Sequence, residues 1–573
     1  MGGGGGKPLN IFRLGSSLSD EPKEVLNWRL WFAVVSFGIM GAARGIDEGL
    51  ISGKRHNGDV TASSIFTNRV RPGTFNTDDF QHLLGFDKLD EDDYANVKGN
   101  VSAMVQIGSV GGALLAFVLA DRIGRLWATR QLCLLWILGI VIFMTNNGRL
   151  GQVYAGRFIA GLGIGQTTVI APVYLSEISP RAVRGLCTCV FSGSVYIGIM
   201  LAYFSTWGSS LHMNQNKKAS WMVPTSLHLI FAGLIFVLSW FNNESPRFLI
   251  KKGKVDHAIA NLAKIRGLTP NDEYVTAEIN GIKHQLNEEQ EATMGQGFVG
   301  ILREMFCMPN NFYRIYLGLG TQLLGQWSGA QSITIYAPDM FALLGTKGDN
   351  EKLYATAIFG VVKFVASIFC ALFLVDVIGR KRSLSIGIAL QAISMCYIAA
   401  FLTAVPNIDD DTVFTASQKH ASTGGIVMIY ISGVGWALGW NSIQYLLNAE
   451  IYPLRIRAVS SSLVMCFHFV NQYGNSRAVP NMLLDLSPKG TFWFFTAITI
   501  LGGVWAWFFI PETSGRSLEG MDALFRLPWY KIGRYGQREA NVSDQLERER
   551  VLEEKATVGG SAAQVEVVQQ EKV

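Results

Sequence analysis

The sequence predicts an all-α membrane protein: twelve transmembrane helices in two pseudo-symmetric six-helix halves, with short cytoplasmic helices between them. Three observations lead there. Of its 573 residues 49% are apolar and only 16% charged, where soluble domains carry about 25% charged residues. About twelve apolar runs can be drawn, each close to the ~20 residues that cross a ~30 Å hydrocarbon core. Landmarks also return in the same order. Asp121-Arg-Ile-Gly-Arg125 recurs as Asp376-Val-Ile-Gly-Arg380, and the offsets of Glu177, Pro180 and Arg184 recur in Glu450, Pro453 and Arg457. A looser echo links Glu244-Ser-Pro246 to Pro511-Glu-Thr513. Parallel repeats of this kind mark membrane folds built from two matched halves.

In chain order the spans are expected at Leu30–Ser52, Val101–Ala120, Leu132–Thr145, Phe158–Leu175, Leu186–Trp207 and Val223–Phe241, then at Tyr316–Leu343, Ala355–Val375, Leu384–Val405, Ile426–Leu447, Ser460–Leu484 and Phe492–Ile510. The fourth span has no ionisable side chain, and its glycines let a neighbouring helix approach closely. Arg157 stands where that run begins, and an unpaired guanidinium in lipid is costly, so it must face a polar interior or snorkel. Lys and Arg crowd alternate loops: Arg122, Arg125 and Arg130; Arg181 and Arg184; Arg247 and Lys251; Arg380, Lys381 and Arg382; Arg455 and Arg457. The positive-inside rule then puts those loops, both termini and the long middle segment in the cytoplasm. The organisation that follows is a tail at 1–27, a six-helix half at 28–241, a linker with short amphipathic helices at 242–311, a second half at 312–522, and a largely disordered tail at 523–573. Residues 1–26 lack the apolar core of a cleavable signal peptide.

The residues also exclude several function classes. A net charge of +5 is small for this length, and topology explains it better than a nucleic-acid partner. The seven cysteines show no metal-ligand spacing. No Gly-rich phosphate loop of the pump type occurs, nor any nucleophile–base set, so neither an enzyme nor a cofactor is expected. Asp47 and Glu48 lie in the first span, with Arg44 one turn earlier, within helical reach of both; intramembrane carboxylates mark proton relays. Gln326, Ser328, Gln331, Asn441 and Asn471 are mid-span polar groups that must be hydrogen-bonded. They serve either as glue between helices or as partners for solute hydroxyls, beside the aromatic faces of Trp327, Trp436 and Trp440. Lys363 and Arg477 have no intrahelical partner, and Asp339 can neutralise only one of them. They form inter-helix ion pairs or snorkel, or they make a positive cavity that accepts a carboxylate.

Taken together, Gly45-Ile-Asp-Glu-Gly-Leu-Ile-Ser-Gly53, Asp121-Arg-Ile-Gly-Arg125, Gly156-Arg157 with Pro172, Tyr174, Glu177, Pro180, Arg184 and Gly185, Glu244-Ser-Pro-Arg247, Gln326-Trp-Ser-Gly329 and Pro511-Glu-Thr-Ser-Gly515 resemble the sugar porter family of the major facilitator superfamily. The likeness runs from about Asn27 to Asp522 and is most like the fungal branch of quinate permeases and several monosaccharide transporters. It implies that Asp47 binds the coupled proton with Arg157 as partner, and that Gln326 and Gln331 belong to a substrate site. It also implies that Asp121, Arg122, Arg125, Glu177, Arg181, Arg184, Glu244, Arg247, Asp376, Arg380, Glu450, Arg457 and Glu512 form a cytoplasmic gate. Ser192, His468 and Tyr445 depart from the family pattern at positions that line the cavity in relatives. Lys54 to Pro72 reads as an insertion, and deleting it is expected to leave surface expression and transport intact.

The expected function is secondary active transport, by alternating access, of a monosaccharide or related polyhydroxylated solute, with proton symport. The substrate-binding set would be Gln326, Gln331, Ser192, Trp436, Asn441, Asn471, Arg477 and Lys363. The expected partners are the solute, a proton and the lipid bilayer, for a monomer in the plasma membrane. A quinate or sugar-acid permease on the same fold, and a transporter-like nutrient sensor signalling through the tail, stand as alternatives.

Overall fold

The computed structural model describes residues 23–50, 77–86, 89–180, 184–214, 217–293, 298–370, 378–405, 408, 414–513, 521 and 524–533. Among these every regular element is helical. The first half contains α1 (Trp28–Leu50), a short α2 (Asp78–Leu84), α3 (Glu91–Ile123), α4 (Arg125–Met144), α5 (Leu150–Ile178), α6 (Arg184–His212) and α7 (Ala219–Leu238). Four connecting helices follow: α8 (Pro246–Lys251), α9 (Val255–Arg266), α10 (Glu273–Thr293) and α11 (Phe298–Cys307). The second half contains α12 (Pro309–Gln326), α13 (Ala330–Ile335), α14 (Ala337–Leu343), α15 (Asp349–Phe369), α16 (Arg380–Ala404) and α17 (Ala416–Trp436). A π segment (Ala437–Asn441), α18 (Ser442–Glu450), α19 (Leu454–Asp485), α20 (Ser487–Phe509) and the short α21 (Trp529–Ile532) complete it. The proposed insertion, 54–72, lies outside the described residues.

Among the described residues ten helices are long and apolar enough to cross a membrane. The other two expected spans, the seventh and the eleventh, depart from that standard for a physical reason: each is built around polar groups. The seventh, expected as one run, is α12, α13 and α14, interrupted at Trp327–Gly329 and again at Tyr336. Gly329 adopts φ +87°, and a Cβ there would lie 2.6 Å from the Phe495 ring. A helix broken at membrane depth must find new partners for its freed backbone groups. Asn475 Nδ2 donates to the Gln326 carbonyl (2.8 Å), Gln391 Nε2 and Thr499 Oγ1 to that of Ser328 (3.2 and 3.1 Å), and Tyr203 Oη to that of Thr334 (2.5 Å). The eleventh, α19, is a continuous 32-residue helix with His468, Asn471, Gln472, Asn475 and Ser476 along it.

The tenth span breaks too, at the non-helical Gly439 (φ −102°, ψ −106°), where Ser383 Oγ takes up the Leu438 carbonyl at 2.7 Å. A sharp kink of this kind is expected where a glycine leaves the helical region.

Within the first half α1 packs along α6, while α3 and α4 flank α5; in the second, α16 lies between α17 and α20. The halves meet where α3 rests on α19 and α6 on α15. At the α1–α6 crossing a Cβ on Gly45 would sit 1.8 Å from the Val195 carbonyl oxygen, so the two backbones touch. That contact sets the depth and rotation of Arg44, Asp47 and Glu48.

The echo between Glu244 and Glu512, loosest in sequence, is close in structure. Glu244 accepts from the backbone N–H groups of Arg125 and Leu126 at the start of α4 (3.1 and 3.2 Å), and Glu512 from those of Arg380 and Lys381 at the start of α16 (2.8 and 3.1 Å). Each carboxylate satisfies orphan donors at the positive end of a helix. In the linker, Phe248, Leu249, Leu262, Val275 and Ile279 form a small core. Arg266 pairs with Glu278 (2.7 Å) and donates to the Ile178 carbonyl (2.8 Å), tying this layer to the end of α5.

Candidate functional site

Asp47 and Glu48 are neighbours on α1, but successive residues on a helix diverge by about 100°, and the two carboxylates find different partners. Arg44 does not bridge both, as helical spacing alone suggests. Asp47 Oδ1 meets Arg157 Nη1 from α5 at 3.0 Å, and Arg157 Nε donates to the Val101 carbonyl at 3.3 Å. Glu48 Oε1 meets Arg44 Nε at 3.2 Å.

The remaining Arg44 donors cross to the second half. Nη1 donates to Tyr445 Oη, and Nη2 reaches His468 Nε2 at 2.9 Å and Gln472 Oε1 at 3.3 Å. Gln472 Nε2 returns a bond to Glu48 Oε1 at 2.9 Å. A guanidinium can only donate, so His468 Nε2 accepts and its proton sits on Nδ1, which faces Gln322 Oε1 at 2.7 Å and the Gln326 amide at 3.2 Å. Tyr445 and His468, two departures from the family pattern, thus both serve Arg44.

Arg44 and Glu48 form part of the wall of a central cavity between the halves, closed by Phe191, Ser192, Val195, Tyr196, Ile199, Gln326, Gln331, Lys363, Trp436, Asn441, Gln444, Tyr445 and His468. Its volume is about 20 Å³, room for about one water, so a ring-sized solute enters only if the halves part. Six of the eight expected substrate residues line it: Gln326, Gln331, Ser192, Trp436, Asn441 and Lys363. Four buried amide atoms on the wall have no partner among the described residues: Gln326 Oε1, Gln331 Nε2, Asn441 Nδ2 and Gln444 Oε1. Buried polar atoms are otherwise almost always satisfied. Lys363 Nζ donates to Thr334 Oγ1 at 2.6 Å and lies 5.2 Å from the ring centres of Tyr196 and Phe359.

Asn471 and Arg477 are not on the wall. Asn471 accepts from Trp327 Nε1 (3.2 Å) and steadies the seventh-span break. Arg477, expected at mid-membrane, stands near the far end of α19, where its Nη2 donates to Asn96 Oδ1 at 2.8 Å across the halves. Asp339, expected as a counterion for Lys363 or Arg477, instead meets Lys98 at 3.0 Å. Both contacts lie on the face opposite the charged loops, so Arg477 helps close that face. Arg477→Gln is therefore expected to lower transport of acidic and neutral solutes alike, by loss of one charge-assisted hydrogen bond worth ~1.5–3 kcal/mol. Competition with galactose and galacturonate checks this, and a loss confined to the acid would return Arg477 to the substrate.

Among the expected gate residues, Arg125 meets Glu177 at 2.7 Å and Asp121 at 3.4 Å, and Asp121 meets Lys251 at 2.7 Å. Arg457 donates twice to the Tyr452 carbonyl (3.1 and 2.9 Å). The Arg125 and Arg457 contacts stay within one half, while Asp121–Lys251 ties the first half to the linker. Arg122 is exposed on the same face, with Arg247 and Arg380 half-buried. Burial pushes the Glu244 carboxyl above the usual carboxylate range, opposed by the N–H groups of Ser245, Leu126 and Arg125. Arg181, Asp376 and the side chains of Arg184 and Glu450 lie outside the described residues.

The sequence alone does not single out the apolar wall residues Phe191, Val195 and Ile199, nor Tyr196, Gln322, Gln444 and Gln472 of the wall and network. Two of them carried a signal, since Gln322 precedes Gln326, and Gln472 follows His468, by one helical turn. Polar side chains at that spacing share a face.

Residues 72–525 match the family described as Sugar (and other) transporter. A probable quinate permease of Aspergillus niger is 30% identical over 552 residues, covering 95% of this chain and 97% of the relative. A quinate permease of Emericella nidulans is 29% identical, covering 88% and 90%. Among solved structures, the proton:xylose symporter XylE bound to 6-bromo-6-deoxy-D-glucose superposes with a TM-score of 0.69 at 21% identity, over 87% of this chain and 99% of that one. The partially occluded inward-open form of XylE from E. coli gives 0.67 at 20% identity, over 86% and 100%. At these identities the structural likeness is one of fold.

Proposed function

The chain belongs to the sugar porter family of the major facilitator superfamily, and from that premise we propose that it is a proton-coupled carrier of a small polyhydroxylated solute bound in the central cavity. It is a multi-pass membrane transporter and not an enzyme. The observation that carries the reading is the set of four unpartnered amide atoms on the wall, two acceptors and two donors. Solute hydroxyls, which both donate and accept, satisfy such a set. Trp436 adds an apolar face for the ring.

Charge narrows the solute class. Arg44 and Lys363 face the cavity against one carboxylate, Glu48, and the protonation inferred for His468 leaves it neutral. Two basic side chains set against one carboxylate favour a hydroxy acid, of the quinate or sugar-acid class, over a neutral monosaccharide. The relatives named quinate permease support the same choice. Asp47 and Arg157 form the proton-coupling pair in this reading, with the cytoplasmic-end charges as gate. The two halves rock around the site in a monomer at the plasma membrane. Uptake of labelled quinate in a transporter-null host, competed with galacturonate and galactose, tests it. The acids should compete best and an uncoupler should stop accumulation. Competition by neutral sugars alone would make the solute a monosaccharide, and accumulation that survives the uncoupler would remove proton coupling.

A further inference from the structure

Among the described residues Glu48 is the one carboxylate on the cavity wall, and a single oxygen, Oε1, takes both the Arg44 Nε–H and the Gln472 Nε2–H. Of the four partners of Arg44, only Glu48 is charged and only Glu48 lies on the same helix. Tyr445, His468 and Gln472 all belong to the second half. The guanidinium is therefore held across the halves by neutral groups, while its charge is met by a side chain that borders the solute space. A solute carboxylate would seek the same bonds.

We infer that Glu48 is a built-in stand-in for the solute carboxylate: it holds Arg44 while the cavity is closed and yields it to an incoming acid, so that Arg44 reads the charge of the solute. The inference rests on the cavity being the solute site and is independent of proton coupling. The other membrane-buried carboxylate of α1, Asp47, is committed to Arg157 and does not border the cavity. Arg477 and Asp339 are paired elsewhere. Lys363, whose bonded partner Thr334 is uncharged, is the other basic group on the wall. By taking both bonds that Glu48 Oε1 gives up, from Arg44 Nε on α1 and from Gln472 Nε2 on α19, the acid joins the two helices.

The test is the ratio of dissociation constants for galactose and galacturonate, measured on the purified full-length carrier by ligand-induced shifts in melting temperature. Glu48→Gln releases Arg44 and is expected to move the ratio toward the acid by roughly tenfold to a hundredfold, the range of a charge-assisted bond. Glu48→Asp, too short to hold Arg44 well, should move it the same way by less, and it keeps the test alive should the glutamine variant fail to fold. The double variant Arg44→Gln with Glu48→Gln leaves no unpaired charge from this pair and should move the ratio toward the neutral sugar. An unchanged ratio in Glu48→Gln and Glu48→Asp, or one shifted toward galactose, would overturn the inference and leave Glu48 a structural counterion. Should the wild type prefer galactose, the hydroxy-acid reading of the solute falls, but Glu48→Gln must still move the ratio toward galacturonate.

Discussion

Asp47→Asn is expected to abolish accumulation of solute against a gradient while some exchange across the membrane survives. Asp47 and Arg157 are 2% and 4% exposed and pair at 3.0 Å. The substitution removes the group that would bind the coupled proton and also strands a buried guanidinium. Breaking a buried pair from one side costs about 3–5 kcal/mol, so the single variant should also reach the surface poorly. Asp47→Asn with Arg157→Gln removes both charges and separates the two effects. It should recover surface expression, read by a fluorescent fusion, without recovering accumulation. Concentrative uptake at the wild-type level in either variant would show that coupling does not run through Asp47.

Gly45→Leu is expected to eliminate surface expression altogether. A Cβ at Gly45 would meet the Val195 carbonyl oxygen at 1.8 Å and the Ile199 nitrogen at 2.9 Å, and backbone cannot rotate away as a side chain can. Overpacking a tight site costs about 1–3 kcal/mol, occasionally more, and the only relief is to part α1 from α6. That movement would carry Arg44, Asp47 and Glu48 out of register with Arg157 and the second half. Gly45→Ala should accordingly lower both the melting temperature and transport. Gly193→Ala on α6, where an added Cβ has nothing within 4 Å, is the control. Indistinguishable behaviour of the two alanine variants would mean that the helices are not in backbone contact.

The bundle is legible in the sequence because lipid imposes its demands locally. A span must be apolar along its own length, and a duplicated half keeps its landmarks at its own spacing. The breaks are harder to see. Tyr316–Leu343 and Ile426–Leu447 read as continuous because a glycine is tolerated in a membrane helix. Only packing shows that Gly329 turns and that Gly439 leaves the helical region. Ser328, which reads as helix glue or a solute partner, accepts at its carbonyl the inter-helix bonds that make the first break tolerable. The failure of the seventh and eleventh spans as simple apolar runs is itself a pointer to the site, since both carry its polar groups.

The pairing of charges is a different matter. From the chain alone follow a two-half membrane carrier, a carboxylate in the first span and a wall of amides, because each is written in residue types at local spacings. Which cation each carboxylate meets is decided by the tertiary structure. Arg44 lies within helical reach of Asp47 and Glu48 alike, yet it takes Glu48 and spends its remaining donors on Tyr445, His468 and Gln472. Asp47 goes to Arg157, Asp339 to Lys98, and Arg477 to Asn96 near the outer face. A buried charge takes its partner from whichever helix packs against it, and for these groups that helix lies far away in the chain, where no local spacing can encode the choice.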